Sequence, residues 1–109
     1  MTSSKVIIVG PDSDNLMSAL QAKGADVTTV SDMATRPDLE EAGIVDADIY
    51  ILTDLEQATT IPIVKDLNPD IQVVAYDRTS LPEFATAQTD LAIDPDLLAP
   101  SVVADELIA

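Results

Sequence analysis

The sequence predicts a three-layer α/β domain built on a parallel sheet of five strands. Three observations lead there. Strand-length apolar runs alternate with helix-length segments along the whole chain. The runs Val6-Ile7-Ile8-Val9 and Ile49-Tyr50-Ile51-Leu52-Thr53 are almost unbroken by polar residues. Strands covered on both faces read this way, because neither face meets water. Gly, Pro, Asn and Asp punctuate the joints between runs, where turns and helix ends need them.

Taken in order, Val6 to Val9 is the first strand, closed by Gly10. Asp12, Ser13 or Asp14 can cap the helix that follows, with Leu16, Met17, Ala19 and Leu20 facing inward. Gly24, after Lys23, stops that helix. Asp26 to Val30 is a second, weaker strand. A loop runs from Ser31 to Arg36. Pro37 then opens a short helix and Gly43 ends it. Ile49 to Thr53 is the third strand. Asp54 to Leu67 reads as helix interrupted by Pro62: either it kinks there, or it begins near Thr59 or Thr60. Asn68-Pro69-Asp70 is a turn. Ile71 to Tyr76 is the fourth strand. Ser80 caps a helix opened by Leu81-Pro82-Glu83 and running to about Gln88. Leu91-Ala92-Ile93 is a short fifth strand, and Pro100 opens a last helix to about Ile108. Right-handed crossovers prune the topologies, and the expected order is 2-1-3-4-5, a Rossmann-like or flavodoxin-like arrangement.

Composition limits the function. The 109 residues suit one domain, 1–109, with one core. Hydrophobic residues make up 47% and aromatics only 3%, so that core is aliphatic. Cysteine and histidine are absent, which removes disulfides, thiolate metal sites and imidazole bases. The net charge of −15 repels nucleic acid and anionic membranes. Acids are spread along the chain, which suits a cytoplasmic protein of a salt-loving organism, where salt screens self-repulsion. No apolar run is long enough to cross a bilayer, and no signal-peptide pattern is present.

The stretch "LEEAGIVDADIYILTD", Leu39 to Asp54, and the later turn Asn68-Pro69-Asp70 carry a resemblance. Together they resemble the nucleotide-binding domain of potassium-uptake regulators, TrkA-N or RCK, over residues 38–77. The whole chain also resembles an uncharacterised haloarchaeal family whose members are sometimes labelled CTP synthetase. The TrkA-N resemblance implies a dinucleotide crevice and a homodimer. It also implies truncation, since a helix and a strand are missing between Asp32 and Pro37. The family's G-x-G-x-x-G turn is replaced by Gly10-Pro11-Asp12-Ser13-Asp14-Asn15. Pro11 removes an N–H donor, and Asp12 and Asp14 oppose a diphosphate with like charge. Ser31 stands where the family's ribose-binding acid would be, beside Asp32. Asp12 and Asp14 are therefore expected to serve the helix N-terminus themselves.

The crevice at the carboxyl ends of strands 1 and 3 gathers the candidate binding residues Gly10, Asp12, Ser13, Asp14, Ser31, Asp32, Thr53 and Asp54. Asp77 and Arg78 flank them. Asp12, Asp14 and Asp54 form a candidate Mg²⁺ site, since that ion takes oxygen ligands. The same positions suit a receiver domain with Asp54 as phosphoacceptor. A receiver also needs a lysine after strand 5, where this chain has Asp94-Pro95. CTP synthesis is not expected from this chain, which has neither a thiol nucleophile nor a phosphate-binding G-x-x-x-x-G-K-[ST] loop.

These readings converge on a non-enzymatic module with a degenerate phosphate loop. It would act through protein contact or weak ligand sensing, as a homodimer or with another protein. No cofactor is required; the alternatives keep a nucleotide or Mg²⁺ in the crevice, or place a phosphoryl group on Asp54. The last helix, with Val102, Val103, Leu107 and Ile108, carries a slight apolar surplus that suits a dimer contact.

Overall fold

The computed structural model describes residues 4–12, 14–30 and 33–108. Five strands form one sheet: β1 (Lys5–Val9), β2 (Asp26–Val30), β3 (Ile49–Leu52), β4 (Gln72–Tyr76) and β5 (Leu91–Ile93). Their order is β2-β1-β3-β4-β5, and every neighbouring pair is parallel. This is the flavodoxin-like order the sequence predicts. The register sets Val9 beside both Val30 and Leu52, so the exits of the first three strands lie at one edge.

Helices cover both faces because alternate strand residues face opposite ways. Val6, Ile8, Ile49, Ile51, Val74 and Tyr76 pack on one face against α1 (Leu16–Ala22) and α5 (Pro100–Leu107). Ile7, Val9, Tyr50, Leu52, Val73 and Ala75 pack on the other, against α2 (Arg36–Ala42), α3 (Thr60–Leu67) and α4 (Glu83–Thr86). Burying each aliphatic side chain stabilises by about 1.5–3 kcal/mol. Tyr50 brings its hydroxyl into the core, where it meets the Thr60 hydroxyl at 2.6 Å. Burial pushes its phenol well above the ordinary value.

The ends of the helices have local causes. Thr35 and Asp38 form a reciprocal capping box at the start of α2, and Gly43, at φ +91°, ends it. The interrupted segment resolves into a 3-10 turn, Leu55–Gln57, followed by α3 from Thr60. Pro62 thus lies in the first turn, where no carbonyl awaits its missing N–H. The fourth helix is shorter than its sequence suggests. It spans Glu83–Thr86, with Pro82 rather than Ser80 at its N-cap. Ser80 is exposed and caps nothing among the described residues.

Candidate functional site

The strand exits carry a small cleft of ≈ 180 Å³, lined by Pro11, Asp12, Asp14, Thr53, Tyr76, Asp77, Arg78 and Pro95. The chain enters this edge through Gly10, whose φ of +107° suits a residue without Cβ. A Cβ there would fall 2.5 Å from the Thr53 hydroxyl and 3.0 Å from the Asp54 backbone nitrogen. Glycine is thus required by the close approach of the loops after β1 and β3. Thr53 fastens that approach. Its N–H donates to the Val9 carbonyl at 2.9 Å, and its hydroxyl donates to the Pro11 carbonyl at 2.7 Å.

The acids of the crevice are each committed elsewhere. Asp12 accepts from the N–H groups of Leu16 at 2.7 Å and Met17 at 3.2 Å. It thereby satisfies two orphan donors at the start of α1, because Asn15, the N-cap by position, makes no such bond. Asp14 faces Arg78 at 3.3 Å, while the Arg78 Nε donates to Asp96 at 2.9 Å. One guanidinium therefore joins the loops after β1, β4 and β5. The two carboxylates raise its pKa above an already high ordinary value. Asp54 does not line the cleft; its carboxylate accepts from the Glu56 N–H at 3.1 Å, closing the 3-10 turn.

Asp77 binds the neighbouring loop instead, accepting from the Leu55 N–H at 2.9 Å. Burial tends to raise its pKa, but backbone donors from Leu55, Thr79 and Arg78 together hold it below the ordinary carboxylate value. Burial and the nearby Asp14 charge push the Tyr76 phenol upward.

Of the sequence candidates, the cleft unites Asp12, Asp14 and Thr53, together with the flanking Asp77 and Arg78. It leaves Gly10 and Asp54 out of its lining. Ser13, Ser31 and Asp32 lie outside the described residues. The proposed Mg²⁺ set of Asp12, Asp14 and Asp54 does not assemble. Among the described residues no three His, Cys, Asp or Glu side chains are placed so that they could hold one metal ion. The reason is that a helix N-terminus, a guanidinium and a turn N–H each hold one of these acids. A dinucleotide fits no better. The volume is below the several hundred Å³ of ordinary ligand pockets, and three carboxylates line it. Tyr76 and Asp96 join the site without having been singled out from sequence, and Pro95 had been noted only as part of the Asp94-Pro95 pair after the fifth strand. Only Arg78 offered a hint, since a base in so acidic a chain attracts carboxylates.

The chain belongs to DUF7126, a family of unknown function, whose model matches residues 6–107. No curated protein matches the sequence. Solved structures align over nearly the whole chain. HP1043, an orphan response regulator of Helicobacter pylori, is 15% identical with TM-score 0.75, covering 96% of this chain and 93% of that one. A CheY-like receiver domain protein from Methanospirillum hungatei is 16% identical with TM-score 0.69, covering 97% and 91%. A response regulator from Burkholderia pseudomallei, solved with a phosphorylated aspartic acid, calcium and citrate, is 18% identical. Its TM-score is 0.63, with 96% of this chain and 71% of that one covered.

These findings correct the TrkA-N resemblance. The fold neighbours include response regulators and a CheY-like receiver domain protein, and the matching family model is DUF7126 rather than a potassium-uptake domain. The residues behind the resemblance have structural work that any such α/β unit needs. The Asn68 amide donates to the Ile44 and Ala47 carbonyls, at 3.0 and 2.8 Å. Asp48 accepts from the Lys5 N–H at 2.8 Å. Residues with such structural roles report how the elements are joined, and a shared fold does not carry a function with it. The five-strand order likewise needs no lost helix and strand.

Proposed function

We propose that this chain is a receiver-like regulatory module that acts through protein contact. The observation that carries this reading is the Arg78 bridge between Asp14 and Asp96. It closes the crevice with the chain's own charges, at the edge where α/β sheets place their ligands. The full-length likeness to response regulators supports the receiver-like part. The contact-based part is supported by the engaged acids and by Asp94-Pro95 after β5. Aspartate there repels the charge that a phosphoryl transfer develops, where a cation would stabilise it. On this reading the chain is a binding module without catalysis of its own.

A second reading keeps Asp54 as phosphoacceptor. It is favoured by the position of Asp54 two residues beyond the last residue of β3, partly exposed. A neighbour of the same fold carries a phosphorylated aspartate. In that reaction an Asp54 carboxylate oxygen attacks the phosphorus of an acyl phosphate, and the carboxylate donor leaves. Incubation with acetyl phosphate and Mg²⁺, followed by intact-mass measurement, separates the two. No phosphoryl adduct is the expected result. An adduct that disappears in Asp54→Asn would establish the second reading.

A further inference from the structure

A second surface lies away from the crevice, between β5 and α5. There the structure has an apolar cavity of ≈ 360 Å³, lined by Leu91, Ile93, Leu98, Val102, Val103 and Leu107 among others. β5 is an edge strand, with no neighbour beyond it among the described residues. Leu91 and Val102 are each 41% exposed, and Leu97, in the adjoining loop, is 79% exposed. Large aliphatic side chains concentrated at one edge mark an interaction surface more often than scattered ones do.

Charge decides what fits it. Glu106 lines the cavity and has no base within ion-pair reach among the described residues. Asp94 and Asp96 flank the strand exit, and Asp90 stands at its entry. The bases near this edge are engaged, Lys23 with Asp105, Lys65 with Asp90 and Arg78 with Asp96, which leaves Glu106 and Asp94 without a base among the described residues. A second copy would bring the same acids and another net charge of −15 against this rim. A partner with aliphatic side chains flanked by Lys or Arg meets both the apolar floor and the acidic border.

We propose that the groove between β5 and α5 docks a cationic amphipathic segment of a partner protein. The proposal deepens the contact-based reading by assigning the partner's chemistry. None of the residues lining the groove lines the crevice, so the two can fail independently. The probe is a labelled peptide of alternating Leu and Lys, compared with one in which Ser replaces Leu. Binding to the full chain is followed by fluorescence anisotropy, with circular dichroism confirming that each variant is folded.

The Leu/Lys peptide should bind at least about tenfold more tightly than the Ser/Lys peptide, about 1.4 kcal/mol. Val102→Glu should weaken it by a similar factor. That variant adds negative charge, so attraction by charge alone would increase. Val45→Glu makes the same change at an exposed position outside the groove, and should leave affinity at or above that of the parent. Equal binding of both peptides, or no loss in Val102→Glu, overturns the proposal. So does a concentration-dependent dimer abolished by Val102→Glu, which would give the groove to a second copy. If Val102→Glu does not fold, Val102→Ser with the same peptides serves in its place.

Discussion

β3 and β5 belong to the same sheet but solve different problems. All four residues of β3 are buried, flanked by strands on both sides and helices on both faces. β5 has three residues and, among the described residues, one strand neighbour, β4. Leu91 and Ala92 remain exposed. Where a strand is enclosed, packing dictates its residues. Where it is not, the sequence is released for other uses, and here it places aliphatic side chains between acids.

Paired truncations would test this contrast most severely. Ile51→Ala opens a cavity in an enclosed strand and should cost about 2–5 kcal/mol of unfolding free energy. Leu91→Ala, at the open edge, should cost less than about 1.5 kcal/mol. Denaturant titration of both variants gives the comparison. Similar losses would mean that β5 is as enclosed as β3.

Gly10→Ala comes next. Both the φ of +107° and the approach of Thr53 oppose a side chain at that position. We expect a loss of roughly 2–3 kcal/mol in the same titration. Asp12→Ala should lose about 1 kcal/mol by removing the acceptor for the first turn of α1. Asp54→Ala should lose less, since its carboxylate holds one N–H of a three-residue turn.

The smallest effect concerns acid. Asp77 has a folded-state pKa below its ordinary value. Its contribution is therefore present above about pH 4 and is lost as the pH falls below that. Asp77→Asn should flatten the decline of stability in this range, at the cost of some stability near neutrality. An unchanged acid unfolding profile would show that the loop after β4 is held by other bonds.

The enclosed part of the molecule was legible in the sequence, because buried strands leave a continuous apolar signal. Val6 to Val9 and Ile49 to Leu52 sit where their hydrophobicity places them, and Gly10, Gly24 and Gly43 mark real turns. The start of α3 was open between two readings because proline is compatible with a kink and with a first turn alike. The crevice was less legible. Asp12 and Asp54 are both acids just beyond a strand, yet one reaches a helix N-terminus and the other a turn outside the cleft. Loop side chains have no periodicity from which direction can be read. The Arg78 bridge joins residues 64 apart in the chain, and only the folded sheet brings them together.

The Thr53 hydroxyl has a single proton, and its shorter bond gives that proton to Pro11 rather than to Val9. Proline cannot donate a backbone bond of its own, so this one hydrogen is a principal tether for the stretch that opens toward α1. The backbone at Pro11 is thereby held before any encounter, so a contact made at that residue has little ordering entropy to remove.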